Sequence, residues 1–113
     1  MPADPVDRPN RARSELLEFL HQIELLSRGT LLKRTKICGK KACPCAEDPA
    51  RRHGPYYEWG RMEADRLVHT MVSPAQARLI AGAIRSHKKI QRLLRNWERE
   101  STKRILRPEH PSR

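Results

Sequence analysis

The chain has 113 residues, of which 24 are lysine or arginine and 13 are aspartate or glutamate, so its formal net charge is +11 at pH 7. A chain of this length has room for one domain with a thin core. Its mean hydropathy is −0.81, and it contains no apolar run approaching the roughly 20 residues that a membrane-spanning helix needs. We therefore expect no membrane span, and the strong positive charge favours a polyanionic partner, most commonly nucleic acid.

The first ten residues contain neither the basic stretch nor the apolar stretch of a secretory signal, so we expect a cytoplasmic protein. The chain has three cysteines, which cannot all pair with one another, and reducing conditions disfavour disulfides in any case. Metal binding or plain thiols remain as the two interpretations of these cysteines.

An amphipathic helix is predicted over roughly 14–28, because leucine, isoleucine and phenylalanine recur there at spacings of three and four residues. Ser14 is a suitable N-cap and Gly29 is a suitable C-terminal stop. The preceding residues are rich in proline and poor in apolar side chains, which is typical of a disordered tail. The predicted organisation is a tail over 1–13, one domain over 14–107 and a second tail over 108–113.

Three strands are predicted after this helix. Alternation and β-branched residues indicate strands over 30–37, 56–61 and 66–72, and the last two are joined by the polar turn 62–65. Residues 38–55 are rich in glycine, proline, cysteine and charge, which predicts a loop. The pattern therefore indicates a small antiparallel sheet interrupted by a loop.

A long C-terminal helix is predicted from Pro74 to about residue 106. Ser73 is suited to the N-cap position, proline is favoured at the first helical position, and Gln76 completes a capping box. The helix carries a stripe of apolar residues, namely Ile80, Ala83, Ile84, Ile90, Leu94, Trp97 and Ile105. The predicted fold class is α+β: an N-terminal helix, a three-stranded antiparallel sheet with a Cys/His loop, and a long basic C-terminal helix.

The predicted loop contains the ligand types of a tetrahedral zinc site. Three cysteines and one histidine occur within sixteen residues, namely Cys38, Cys43, Cys45 and His53. Thiolates and imidazoles are the usual ligands of structural zinc, and a loop with few apolar residues gains from such an ion. The spacing differs from the paired Cys-x2-Cys motifs of well-known zinc sites, so cysteines packed as small apolar groups remain the alternative.

The same motifs resemble a known family. The blocks Cys38-Gly39-Lys40, Cys43-x-Cys45 and 53–57 (His-Gly-Pro-Tyr-Tyr), followed by a hairpin and a long basic helix, are similar to a family of small prokaryotic proteins catalogued as the domain of unknown function DUF6788. The resemblance covers about residues 28–106 and implies an association with mobile elements, but no mechanism. Family members carry Gly-Gly-Lys in the hairpin turn, where this chain has the longer and more acidic residues of 62–65.

Positive charge is concentrated in two segments. Residues 30–61 carry a net charge of +5 and residues 74–107 carry +8, since ten basic residues of the latter are interrupted by Glu98 and Glu100 alone. We predict that the long helix and the loop contact phosphates. The predicted contact residues are Lys40, Lys41, Arg51, Arg52, Arg85, Lys88, Lys89, Arg92, Arg95, Arg99, Lys103 and Arg104. A solvated basic face without a ligand is the alternative.

Three aromatic residues, Tyr56, Tyr57 and Trp59, lie close together among arginines. Exposed rings of this kind can stack on bases of single-stranded nucleic acid. In a strand, however, Tyr57 and Trp59 share one face while Tyr56 lies on the other. Core packing is therefore the favoured interpretation for at least one of the two sets.

The sequence as a whole predicts a nucleic-acid-binding accessory or regulatory protein, with DNA favoured over RNA, zinc as a candidate cofactor and a mobile element as the context implied by the resemblance. It contains no glycine-rich phosphate loop and no Ser/His/Asp set, so we do not expect an enzyme. The alternative function is a protein-interaction module, in which the apolar stripe of the C-terminal helix forms a homodimer or docks on a larger protein.

Overall fold

The computed structural model describes residues 7–36, 43–51 and 53–108, without the side chains of Lys36, Cys45, Pro49 and His53. Two helices and three strands confirm the α+β class. In chain order they are α1 (Arg8–Gln22), β1 (Thr30–Lys36), β2 (His53–Glu63), β3 (Arg66–Val72) and α2 (Pro74–Ile105). No helix in the described ranges is both long enough and apolar enough to cross a membrane.

The chain forms two compact units. One contains α1 and the part of α2 from Arg85 onward, and the other runs from Ser27 to Ile84 and contains the sheet. The fully buried apolar residues of the described chain are few, which agrees with the thin core expected from its length. They are Ala12, Leu16, Ala77 and Ala83.

Helix α1 begins earlier and ends earlier than the sequence predicts. It starts at Arg8 rather than Ser14 and has a proline in its first turn, where the fixed backbone dihedral of proline favours helix initiation. The Arg11 amide donates to the carbonyl of Asp7 at 2.9 Å. The helix ends at Gln22 because Ile23 is already extended. Residues 8–13, predicted as a tail, are thus helical, and residues 1–6 lie outside the described residues.

Gly29 was predicted to end α1, but the helix ends at Gln22. Gly29 instead lies immediately before β1. Its φ is +120°, and a Cβ atom there would collide with the carbonyl oxygen of Gly60. Glycine is therefore required for both its backbone conformation and its contact. This close approach brings the backbone of residues 28–30 against β2 at the point where β1 begins pairing.

The sheet has the order β1-β2-β3, and both pairs are antiparallel. Trp59 lies opposite Leu31 of β1 and opposite Thr70 of β3. Tyr57 and Trp59 lie on one face and are half-buried, whereas Tyr56 on the other face is 37% exposed. The expected separation of the three aromatic residues between two faces is confirmed.

The β2–β3 hairpin closes through two residues, Ala64 and Asp65, with φ of 48° and 65°. Positive φ at both central positions defines a type I′ turn, whose twist matches that of the flanking strands. Glycine and asparagine adopt this conformation most easily. The turn is two residues long rather than the four predicted at 62–65.

The capping box of α2 is confirmed. The Gln76 amide donates to the Ser73 hydroxyl oxygen at 3.1 Å, and the Ser73 amide donates to the Gln76 side-chain oxygen at 2.9 Å. Two amides that no helix carbonyl could satisfy are thereby paired.

Replacing Ser73 by alanine is expected to lower the free energy of unfolding by about 1 kcal/mol, because the cap loses its acceptor. Urea unfolding of the variant measures this change. Ser14→Ala is the matched control, since Ser14 lies exposed inside α1, where alanine is the better helix former. Equal destabilisation by both substitutions would contradict the assignment of Ser73 as a cap.

Candidate nucleic-acid interface

Six basic residues form a straight row along the second part of α2. At 3.6 residues per turn, their spacings of three and four place them within an arc of about 80° of the helix surface, over a length of about 27 Å. Every one of them is exposed. We call this set the basic row: Arg85, Lys88, Arg92, Arg95, Arg99 and Lys103.

The other side of the same helix segment is half-buried. Ile90, Leu93 and Trp97 follow one another at spacings of three and four there, as expected for an apolar stripe that faces another helix. Lys89 lies between the two sides, and its ammonium is 4.5 Å from the ring centroid of Phe19 on α1. Phe19 of α1 therefore lies beside one flank of this helix segment, whereas the basic row is exposed.

Little of the charge on the basic row is neutralised by the described residues. Lys103 pairs with Glu100 at 3.1 Å, and Arg99 donates to the side-chain oxygen of Asn96 at 3.1 Å. For Arg85, Lys88, Arg92 and Arg95, the described part of the chain supplies no ion pair. A helix surface can be kept soluble by charges of both signs, and like charges placed in a row repel one another. The basic row is therefore the strongest candidate for an anion-binding surface.

The other predicted contact residues are placed differently. Arg104 is exposed but lies about 100° around the helix from Arg85, so it is not part of the row. In the loop, Arg51 is exposed and pairs with Asp48 at 3.6 Å. Lys40, Lys41 and Arg52 fall outside the described residues, and their role remains a prediction.

The structure does not describe the side chains of most of the predicted zinc ligands. Cys38 is not described, and neither are the side chains of Cys45 and His53. Among the side chains that are described, no group of three or more histidine, cysteine or acidic residues could hold a metal ion. The backbone of His53 pairs with that of Lys36 at the end of β1. Zinc binding remains a prediction.

Trp59 is held by contacts of its own. Its indole N–H donates to the carbonyl of Arg28 at 3.0 Å, and the Arg61 guanidinium lies 3.9 Å from the centroid of its ring. Arg61 also donates to the Thr70 hydroxyl at 2.9 Å and pairs with Glu63 at 3.4 Å. One face of the indole is therefore covered, and this ring has a packing role. Stacking by Tyr56 or Tyr57 stays a prediction.

Two features of the sheet were not predicted from the sequence. One is the stacking of Arg61 on Trp59, for which the i, i+2 spacing along one strand was the available signal. The other lies on the opposite face, where Glu58 is 3.9 Å from Arg34 and 3.2 Å from His69. All three come from different strands, so the register alone brings them together.

These elements define a small basic α+β protein with a three-stranded antiparallel sheet and a long C-terminal helix. The chain belongs to the family described as Domain of unknown function (DUF6788), whose model matches residues 7–81. It matches none of the curated proteins and none of the solved structures with which it was compared. The family match covers α1, the sheet and the start of α2, so the basic row lies beyond the matched residues.

Proposed function

We propose that the protein binds nucleic acid, DNA in preference to RNA, through the basic row of α2. The observation that carries this proposal is the line of exposed basic side chains whose charge the described residues leave largely uncompensated. The resemblance to a family associated with mobile elements suggests an accessory or regulatory role in such an element. Zinc held by Cys38, Cys43, Cys45 and His53 would fix the loop between β1 and β2.

The chemistry of the row suits phosphate. Four of its six members are arginine, whose planar guanidinium forms two parallel hydrogen bonds with a phosphate. Each phosphate that is neutralised releases a condensed counterion, which makes binding favourable at low salt. Six cations along about 27 Å of helix match an extended polyanion better than a small ligand.

The shape of the site favours DNA. The major groove of B-form DNA is about 12 Å wide and accepts an α-helix. The major groove of A-form RNA is deep and narrow, so side chains of a helix reach its bases poorly. A long helix with one basic side therefore suits the backbone and major groove of duplex DNA.

The proposal is tested by fluorescence anisotropy with labelled duplex DNA, single-stranded DNA and duplex RNA at a series of salt concentrations. If all six members of the row contact phosphates, the slope of log K against log salt for duplex DNA is about −5. The dissociation constant then rises about a thousandfold between roughly 50 and 200 mM salt. The zinc content of the same preparation is measured in parallel. Absence of binding to all three nucleic acids at low salt would refute the proposal.

A protein-interaction module is the second candidate, because α2 also exposes apolar side chains. Leu94 is 39% exposed, Ile105 is 78% exposed and Leu106, just after the helix, is 74% exposed. Association through such residues depends little on salt, whereas phosphate binding falls steeply with it. The salt series therefore separates the two functions.

A further inference from the structure

Among the described residues, the outer edge of β3 is open. Within them β2 is the single neighbour of this strand in the sheet, and five of the seven residues of β3 are exposed. Leu67 is 63% exposed and Met71 is 45% exposed. Within the described ranges, no further strand or loop forms backbone hydrogen bonds with this edge. An unpaired edge of this length is a template for another strand.

The register shows which backbone groups point outward. The two-residue turn makes Glu63 and Arg66 a hydrogen-bonded pair, and such pairs alternate along an antiparallel ladder. Arg66, Val68, Thr70 and Val72 therefore bond to β2. The outward amides and carbonyls belong to the remaining residues of the strand, namely Leu67, His69 and Met71.

The two edges of the sheet differ in charge. At the opposite edge, β1 carries Lys33, Arg34 and Lys36 among its seven residues, and charged side chains of this kind, lysine above all, discourage strand addition. β3 carries a single cation of fixed charge, Arg66, at its very start. The side chain of His69, in its centre, lies 3.2 Å from Glu58 of β2, so a carboxylate compensates any charge that the imidazole carries.

We propose that the outer edge of β3 pairs antiparallel with the β3 edge of a second copy of this chain, about a two-fold axis at His69. A strand edge is self-complementary under such an axis. With His69 opposite its own copy, Leu67 lies opposite Met71 of the second copy and the reverse pair also forms. The three outward residues of each chain then exchange both of their backbone hydrogen bonds.

This register also separates like charges. Arg66 lies opposite Val72 of the second copy, so the two arginines are at opposite ends of the new ladder. Asp65 lies opposite Ser73 of the second copy, at the start of an α2 helix whose first turn contains no acidic residue. A carboxylate is favourable at the N-terminus of a helix, where the macrodipole is positive.

The result is a six-stranded sheet. Leu67 and Met71 of one copy lie beside Met71 and Leu67 of the other on the same face of this sheet. The pairing concerns the sheet and does not depend on the proposed binding of nucleic acid by α2. Because it rests on one pair of edges, the interface is at the small end of specific interfaces. We therefore expect a dimer that dissociates as the protein is diluted.

Sedimentation equilibrium of the full chain, in reducing buffer without nucleic acid, tests the proposal. Met71→Lys and His69→Pro should each raise the dimer dissociation constant by at least about tenfold. Proline at position 69 removes an outward amide and leaves the backbone hydrogen bonds between β3 and β2 intact, while the contact of the His69 side chain with Glu58 is lost. Met62→Lys is the matched control, since Met62 is 56% exposed on the same face but on the central strand, and it should leave the dimer unchanged. Circular dichroism confirms that each variant is folded.

Two results would overturn the proposal. A wild-type chain that stays monomeric up to about 1 mM lacks the interaction at any meaningful strength. Equal weakening by Met62→Lys and Met71→Lys would show that the faces of two sheets stack on each other, rather than their edges pairing.

Discussion

Replacing Arg92, Arg95 and Arg99 by glutamine is expected to weaken binding of duplex DNA by at least about 100-fold at 0.1 M salt. These residues occupy the middle of the basic row, all three are exposed, and none forms an ion pair with another described residue. Each phosphate contact contributes about 0.9 to the salt slope, so its magnitude should fall by about 2.7. Anisotropy titrations at several salt concentrations measure both changes.

The matched control removes the same charge elsewhere. Arg13, Arg28 and Arg66 are exposed and lie outside α2, so their triple replacement by glutamine lowers the net charge equally and leaves the row intact. It should reduce affinity only through the weaker long-range field, by less than about tenfold. Equal losses in the two triple variants would show that total charge, and no particular surface, attracts the nucleic acid.

Replacing Trp59 by alanine is expected to lower the free energy of unfolding by about 3 kcal/mol, as is typical for the loss of a large aromatic side chain that is packed. The substitution removes the cation–π contact between the indole ring and Arg61. It also removes the hydrogen bond from the indole N–H to the carbonyl of Arg28. Such a loss is a large part of the stability of a small domain. Urea unfolding followed by circular dichroism gives the value.

Two further variants separate the contributions of Trp59. Trp59→Phe keeps most of the ring but removes the hydrogen bond to Arg28, and should cost about 1 kcal/mol. Tyr56→Ala, on the more exposed face, should cost less than Trp59→Ala. If Trp59→Ala left stability unchanged but abolished binding of single-stranded DNA, the indole would be a base-stacking residue rather than a packing residue.

The local signals in the sequence predicted the elements well. The capping box of Ser73 and Gln76 spans four consecutive residues, so the local sequence is sufficient to indicate it. Alternation separated Tyr56 from Tyr57 and Trp59 because side chains on a strand point to opposite faces whatever their partners are. The spacing of the basic residues on α2 likewise follows from helical geometry alone.

The start of α1 was predicted wrongly because two local signals compete there. Ser14 is a good N-cap, but proline at position 9 favours an earlier start. A helix that begins before Ser14 also includes both Ala12 and Leu16, whose side chains are buried. Gly29 was assigned to the end of that helix because glycine commonly ends helices. Its actual requirement, the close approach of Gly60, arises from a strand thirty-one residues further on in sequence.

The sequence by itself determined the α+β class, the order of the elements, the cap of α2 and the net charge of each segment, since all of these depend on neighbouring residues or on a simple period. The tertiary structure alone decided which groups from distant parts of the chain meet and which remain open. Arg28 and Trp59 are thirty-one residues apart, and their hydrogen bond depends on the register of β1 with β2. The open edge of β3, as the described strands define it, depends on the strand order, because no local pattern specifies which strand of a sheet is left without a neighbour.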